Sequence, residues 1–178
     1  MRVQKASNLR MNLNFEEVYN QHKEMVFNYV FWKVNDYDDA VDITQEVFIK
    51  VYKNLSKFKG ESSLKTWIMS ITINHITDFF RKKKRFSPVF FEDKEDADDT
   101  LAAVEDHLEL DDQVAVERAM ARLKDWEREI LTLYYMEGFQ YDEIADLLKI
   151  PIGTVKSRLN GAKKSLKKII MGGVLDGK

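Results

Sequence analysis

Two prolines in 178 residues, Pro88 and Pro151, and glycines that are sparse before the C-terminal region leave this chain few places where a helix must stop. Helix should therefore dominate. Cysteine is absent, which excludes a disulfide framework and the commonest zinc sites, so the fold rests on packing and suits a reducing compartment. With 44% hydrophobic residues, the chain can build one core or two small ones. No apolar run approaches the roughly 20 residues that cross a bilayer. The opening "MRVQKASNLRMNLNFEE" also lacks the apolar centre of a secretory signal. The sequence reads as cytoplasmic, without membrane insertion. Residues 1–14 read as an unstructured extension, with Met11 an alternative start.

Hydrophobic spacing divides the rest of the chain into two helical sections and a spacer. Over residues 15–86, Val41, Phe48, Val51, Tyr52 and Leu55 recur at helical intervals as one inward face, beside a mostly polar stripe of Asp42, Gln45, Glu46 and Ile49. "SITINHIT" alternates like a strand, but Leu64, Ile68, Ile71, His75 and Phe79 form a helical row. Ser70, Asn74, Thr77, Asp78 and Arg81 make a polar row alongside. Residues 87–111 lose this period and are rich in Asp and Glu, too poor in large apolar groups to offset the entropy of ordering. From Asp112 periodicity returns with Val116, Met120, Leu123, Trp126, Ile130, Leu133 and Tyr134, and Gly138 suits a helix C-terminus. The expected architecture is all-α: small helical domains over 15–86 and 112–171, a flexible acidic linker over 87–111, and a tail over 172–178.

A formal net charge of -2 conceals strong sorting of charge. "RKKKR", Arg81 to Arg85, precedes the acidic run "EDKEDADD". Lys149 to Met171 holds seven basic residues and no acidic one. Around this basic stretch, "FQYDEIADLLKIPIGTVKSRLNGAKKSLKKI" splits into a short helix, a tight turn and a longer helix, the pattern of a helix-turn-helix. Pro151 suits the first turn of the second helix. Ile152, Val155, Leu159, Ala162, Leu166 and Ile169 make its apolar stripe, which leaves Thr154, Lys156, Ser157, Asn160 and Lys163 pointing outward or to its edges. A face needed only for solubility would mix both signs of charge. One sign, with short hydrogen-bonding side chains beside Lys156 and Arg158, fits a recognition helix in a major groove, where phosphates supply affinity and base edges supply choice.

"DDAVDITQEVFIKVYKNLSKFKGESSLKTWIMSITINHITDFFRKKKR" resembles region 2 of bacterial sigma factors of the extracytoplasmic-function type. "LKDWEREILTLYYMEGFQYDEIADLLKIPIGTVKSRL" resembles their region 4. The resemblance covers Phe15 to about Ile170, in the family's order and with a linker between. It implies a promoter-specificity subunit and not an enzyme. Such a subunit binds core RNA polymerase through the clamp helices and flap of the two large subunits, binds promoter DNA, and is commonly held by an anti-sigma factor. The family pattern places polymerase contact on Asp39, Asp42, Gln45 and Glu46. It places the minus-ten element on Phe58, Lys59, Gly60, Asn74, Arg81, Lys82, Lys83 and Lys84. The minus-thirty-five element falls on Pro151, Gly153, Thr154, Lys156, Ser157, Arg158, Asn160 and Lys163. Asn74 can offer a donor and an acceptor to a base taken out of the stack, Gly60 lets backbone approach, and Phe58 offers an aromatic surface. Trp67 is expected to be structural.

Each assignment has a plainer counterpart: a solvated helix face for the acidic stripe, a helix end that welcomes positive charge for "RKKKR", a core position for Phe58. Two departures from the family stand out. Gly161 replaces a common arginine at about 1 kcal/mol of helix propensity against alanine, and Lys149 replaces a glycine in the turn. The linker is either a follower of a basic channel or a solubilising spacer. A decoy copying the fold, or a DNA-binding regulator independent of polymerase, are the rival classes. His22, His75 and His107 sit in no metal or triad spacing and no phosphate-cradling loop is present, so no cofactor, metal or small-molecule substrate is expected.

Overall fold

A computed structural model describes residues 13–86 and 112–175, with side chains for all of these except 84–86, 112–115, 117 and 172–175. The linker 87–111, the extension before 13 and the last three residues lie outside the described residues. The described chain folds as α1 (Phe15–Val34), α2 (Tyr37–Asn54), a 3-10 turn (Leu55–Lys57), α3 (Leu64–Phe86), α4 (Asp112–Ala121), α5 (Asp125–Leu131), a π-turn (Thr132–Met136), α6 (Tyr141–Leu148) and α7 (Ile152–Leu175). No strand occurs among the described residues.

Caps set several boundaries. Asn14 and Asp36 start α1 and α2 with side-chain oxygens that accept from Glu16 N and Asp39 N, satisfying donors a helix leaves orphaned. Asn35 ends α1 at φ 53, in the left-handed conformation asparagine tolerates. Lys124 N and Gln140 N are satisfied by Glu127 and Glu143, each three residues into its helix. Lys149 closes α6 at φ 54 with its N–H on Ala145 O, which explains why glycine is the easier residue there. Gly138 takes φ +67 just past the π-turn, whose last bonds run Glu137 N to Thr132 O and Phe139 N to Leu133 O.

α1, α2 and α3 form one bundle around Val26, Tyr29, Val30, Ala40, Ile43, Val47, Val51, Ile68 and Met69. α4 to α7 form a second around Met120, Leu123, Ile130, Leu133, Phe139, Ile144, Val155, Leu159 and Ala162. Each large apolar side chain fully withdrawn from water contributes about 1.5–3 kcal/mol. Four expected core positions, Tyr52, Val116, Trp126 and Ile152, are exposed instead. Tyr52 is 65% exposed, because α2 buries the row Ala40, Ile43, Val47, Val51 against two neighbours and Tyr52 lies one step off it. Val116 is exposed while Ala119 and Met120 of the same helix are buried, and Ile152, the first residue of α7, is exposed. Pro151 stands just before α7, its carbonyl accepting from Thr154 N and Val155 N at 2.8 and 3.1 Å, so it caps the helix from outside the first turn.

The two bundles also touch. Tyr29 Oη donates to Glu129 Oε1 at 2.6 Å, and Lys33 Nζ lies 2.6 Å from Asp125 Oδ2 and 3.4 Å from Glu129 Oε1. At the start of α3, Thr66 Oγ1 donates to Glu143 Oε1 at 2.7 Å, and Lys65 donates to the Glu137 carbonyl with its ammonium 4.5 Å above the Phe139 ring. Glu143 thus caps α6 with one oxygen and holds the other bundle with the second. Burial, reinforced by Glu129, pushes the Tyr29 phenol well above its ordinary pKa, so it stays a proton donor.

Candidate nucleic-acid interface

The loop before α3 builds the first surface. Ser63 Oγ accepts from Thr66 N at 3.0 Å and so starts α3. Gly60 turns at φ +72 with open space around it, a conformation other residues reach only with strain. Between loop and helix lies a cleft of about 220 Å³ walled by Lys57, Phe58, Lys59, Glu61, Ser62 and Trp67. Phe58 and Trp67 meet at 5.2 Å between ring centroids, tilted by 50°. Both are half-buried, so one face of this aromatic pair is spent on packing and an edge is left to the cleft. Trp67, expected to be structural, is therefore also a wall of the site. Glu61, Ser62 and Lys57 join it through loop geometry that helical periodicity does not reveal.

Asn74 does not line this cleft. It lies two turns beyond Trp67 on the same face of α3, about 10 Å along the axis, and is exposed. Farther along, Arg81 pairs with Asp78 at 3.0 Å and Lys83 with Asp39 at 3.4 Å, while Lys82 is exposed. The side chain of Lys84 lies outside the described residues. The Lys83–Asp39 pair joins a residue expected to meet DNA to one expected to meet polymerase, so in the free chain each occupies the other.

Asp42, Gln45 and Glu46 are exposed on α2, as their stripe requires, and Ile49 and Tyr52 extend the row with exposed apolar surface. Beneath it, Glu46 Oε2 stands 2.8 Å from Nε2 of buried His75, and Lys50 Nζ is 2.6 Å from His75 Nδ1. Burial first, and Lys50 second, hold the His75 pKa below its ordinary value. A neutral ring that accepts from Lys50 carries its proton on Nε2, toward Glu46.

The second surface is α7. Gly153, Lys156, Ser157, Arg158, Asn160 and Lys163 are exposed and Thr154 is half-buried, while Val155, Leu159 and Ala162 lock the opposite face into the core. Lys164, Lys167 and Lys168 continue the exposed positive face, and none of these cations has a carboxylate partner among the described residues. The Ser157 hydroxyl donates to its own helix at Thr154 O, 3.0 Å away. Gly161 is half-buried: a Cβ there would lie 3.7 Å from Trp126 of α5. The Trp126 ring edge thus lies at ordinary contact distance from this position.

Two family models match the chain in order: Sigma-70 region 2 over residues 18–86 and Sigma-70 region 4 over residues 113–166. The RNA polymerase sigma-H factor of Pseudomonas aeruginosa is 33% identical over 159 residues, 84% of this chain and 81% of that protein. The chain belongs to the sigma-70 family of RNA polymerase sigma factors, in its extracytoplasmic-function branch. The ECF RNA polymerase sigma-E factor of Escherichia coli is 29% identical over 174 residues, covering 93% of this chain and 88% of that one. Among solved structures, the sigma factor RpoE in complex with the anti-sigma factor NepR, from Bartonella quintana, matches with a TM-score of 0.69 and 25% identity, over 88% of this chain and 96% of that chain. As a sigma factor the chain directs RNA polymerase to promoters at transcription initiation. Among the described residues no helix is long and apolar enough to cross a membrane and no metal-binding cluster occurs.

Proposed function

We propose that this sigma factor divides promoter recognition between its two bundles. Residues 15–86 form a unit whose cleft around Phe58, Lys59 and Gly60, with Asn74 and the cations at Arg81, Lys82, Lys83 and Lys84, takes the minus-ten element in its opened, single-stranded form. Taking a base out of the stack costs a few kcal/mol, and stacking on an aromatic returns about 1–3 kcal/mol per base. A polar cleft with an aromatic wall, next to an exposed amide on the same helix face, suits that exchange.

Residues 112–171 form the unit that reads the minus-thirty-five element as duplex. Pro151, Gly153 and Thr154 bring the start of α7 to the groove, Lys156, Arg158 and Lys163 meet phosphates or base edges, and Ser157 and Asn160 offer short polar groups. Asp39, Asp42, Gln45 and Glu46 form the contact with core polymerase, which the exposed Ile49 and Tyr52 extend. The linker 87–111 spans the distance between the units. The protein works in the cytoplasm without catalytic activity of its own, and an anti-sigma factor is its proposed regulator, by analogy with the Bartonella quintana pair.

The observation that carries this reading is the exposed face of α7, six cations of one sign on a helix whose other face is locked into a core. Elements named for positions 25 nucleotides apart lie about 85 Å apart along a duplex, whereas a compact chain of this size is about 40 Å across. Occupying both at once therefore requires the contacts of Lys33, Tyr29, Lys65 and Thr66 with the second bundle to part. Run-off transcription with purified core polymerase on a randomised promoter library tests the reading: transcripts should enrich two separated elements. No stimulation of core polymerase would refute it.

A further inference from the structure

Arg158 does not stand free on α7. Its guanidinium carbon lies 5.8 Å from the ring centroid of Trp126, a residue of the second position of α5 and 37% exposed. The same indole covers Gly161, where a Cβ would sit 3.7 Å from its outer edge. One turn farther, Ser165 Oγ donates to Glu127 Oε1 at 2.7 Å, while the other oxygen of Glu127 caps α5 at Lys124 N. Arg158, Gly161 and Ser165 are spaced by three and then four residues, so they form a single row on α7. The first turn of α5 packs on that row through the neighbouring residues Trp126, against Arg158 and Gly161, and Glu127, bonded to Ser165.

We infer that Trp126 is a positioning residue for DNA recognition: its ring is a platform that holds the Arg158 guanidinium at the edge of the recognition face. A long arginine side chain on an exposed helix samples many rotamers, and fixing it on contact with DNA costs entropy. A cation held over an indole has already lost part of that freedom, yet its N–H groups still point sideways to an acceptor. A merely packed tryptophan would be covered more fully and would not carry a cation over its face.

This inference rests on the reading of α7 as the minus-thirty-five surface, so the experiment separates the two. The probe is a promoter duplex enriched from a randomised library by the wild-type chain with core polymerase, and the readout is holoenzyme affinity as its upstream element is scrambled. Trp126→Leu, which keeps apolar bulk and removes the π face, should weaken discrimination for the upstream element about two- to fivefold. Trp126→Phe should retain most of it. In an Arg158→Ala background Trp126→Leu should have no further effect, and affinity for core polymerase should not change in any variant. Equal losses from Trp126→Leu in both backgrounds, or a folded Trp126→Leu protein with undiminished discrimination, would overturn the inference while leaving the role of α7 intact. Indifference of the wild-type holoenzyme to the upstream element would overturn both. Melting curves accompany each variant, and Trp126→Met, which also keeps apolar bulk and removes the π face, provides the test if the Leu variant does not fold.

Discussion

At the end of α3 two of the three described cations already have partners, Arg81 on Asp78 and Lys83 on Asp39; on α7 the six exposed cations have none among the described residues. The first bundle thus keeps part of its positive charge in reserve and combines it with aromatic surface and a polar cleft. The second displays charge openly on a rigid helix. The contrast fits two states of nucleic acid. An intact duplex presents a dense array of phosphates that unpaired cations meet at once, with counterions released. A separated strand offers base faces, and gripping it needs stacking and hydrogen bonds more than raw charge. Exposed ion pairs such as Arg81–Asp78 contribute about 0–1 kcal/mol, so exchanging a carboxylate for a phosphate there costs little.

The comparison breaks most visibly if charge is removed from each side in turn. Lys156→Ala with Arg158→Ala should cut duplex affinity about tenfold or more at low salt and lower the slope of log K against log salt by about 1.8, or 0.9 per contact. Lys83→Ala should change that slope by far less, because Asp39 already neutralises it. Equal slopes from the two, in titrations at several salt concentrations, would dissolve the distinction. Asn74→Ala should slow promoter opening about three- to tenfold, the worth of a hydrogen bond or two, without loss of binding to core polymerase. Permanganate footprinting of the opened strand, beside a polymerase pull-down, measures both.

Glu137, buried at the end of the π-turn, sharpens the comparison from the side of stability. Its pKa is raised from 4.5 to about 7, by burial that outweighs the opposing pull of Lys65. The folded chain therefore holds a proton the unfolded chain has shed, so this residue's contribution is full below pH 4.5 and is lost as pH rises through about 7. Glu137→Gln should stabilise the protein at pH 8 by about 1–2 kcal/mol, with solvent screening allowed for, and flatten its thermal stability between pH 5 and 8. A melting temperature with unchanged pH dependence would contradict this. Smallest should be Tyr29→Phe, which removes the bond to Glu129 and should loosen the contact between bundles by about 1 kcal/mol. Energy transfer between dyes on α2 and α7 should fall slightly, and an unchanged value would mean the contact is held elsewhere.

Both bundles, the helix-turn-helix and the outward set on α7 were legible because an apolar stripe of period 3.6 records which side of a helix is inside. What that period cannot register is how many neighbours cover a stripe. Tyr52, Val116 and Ile152 satisfy the spacing and are exposed: Tyr52 lies one step off the row that α2 turns to its two neighbours, and Val116 and Ile152 lie where no neighbour covers them. The left-handed turn at Lys149 and the π-turn over Thr132–Met136 leave no mark in hydropathy. Contacts such as Tyr29 with Glu129, 100 residues apart, join side chains that look like ordinary surface polar groups in sequence. Trp126 misled in a further way: it falls on the helical spacing of a core, and part of its ring lies outside the core under Arg158. Glu61 and Ser62 belong to the cleft by loop shape alone.

The most direct test of two reading heads is to select promoters from one randomised library twice, with core polymerase carrying the wild-type chain and then the Lys156→Ala, Arg158→Ala variant. The account predicts that the upstream element fades from the selected sequences while the downstream element keeps its preference. If both elements weakened together, or neither did, the division of labour between α7 and the cleft before α3 would be wrong.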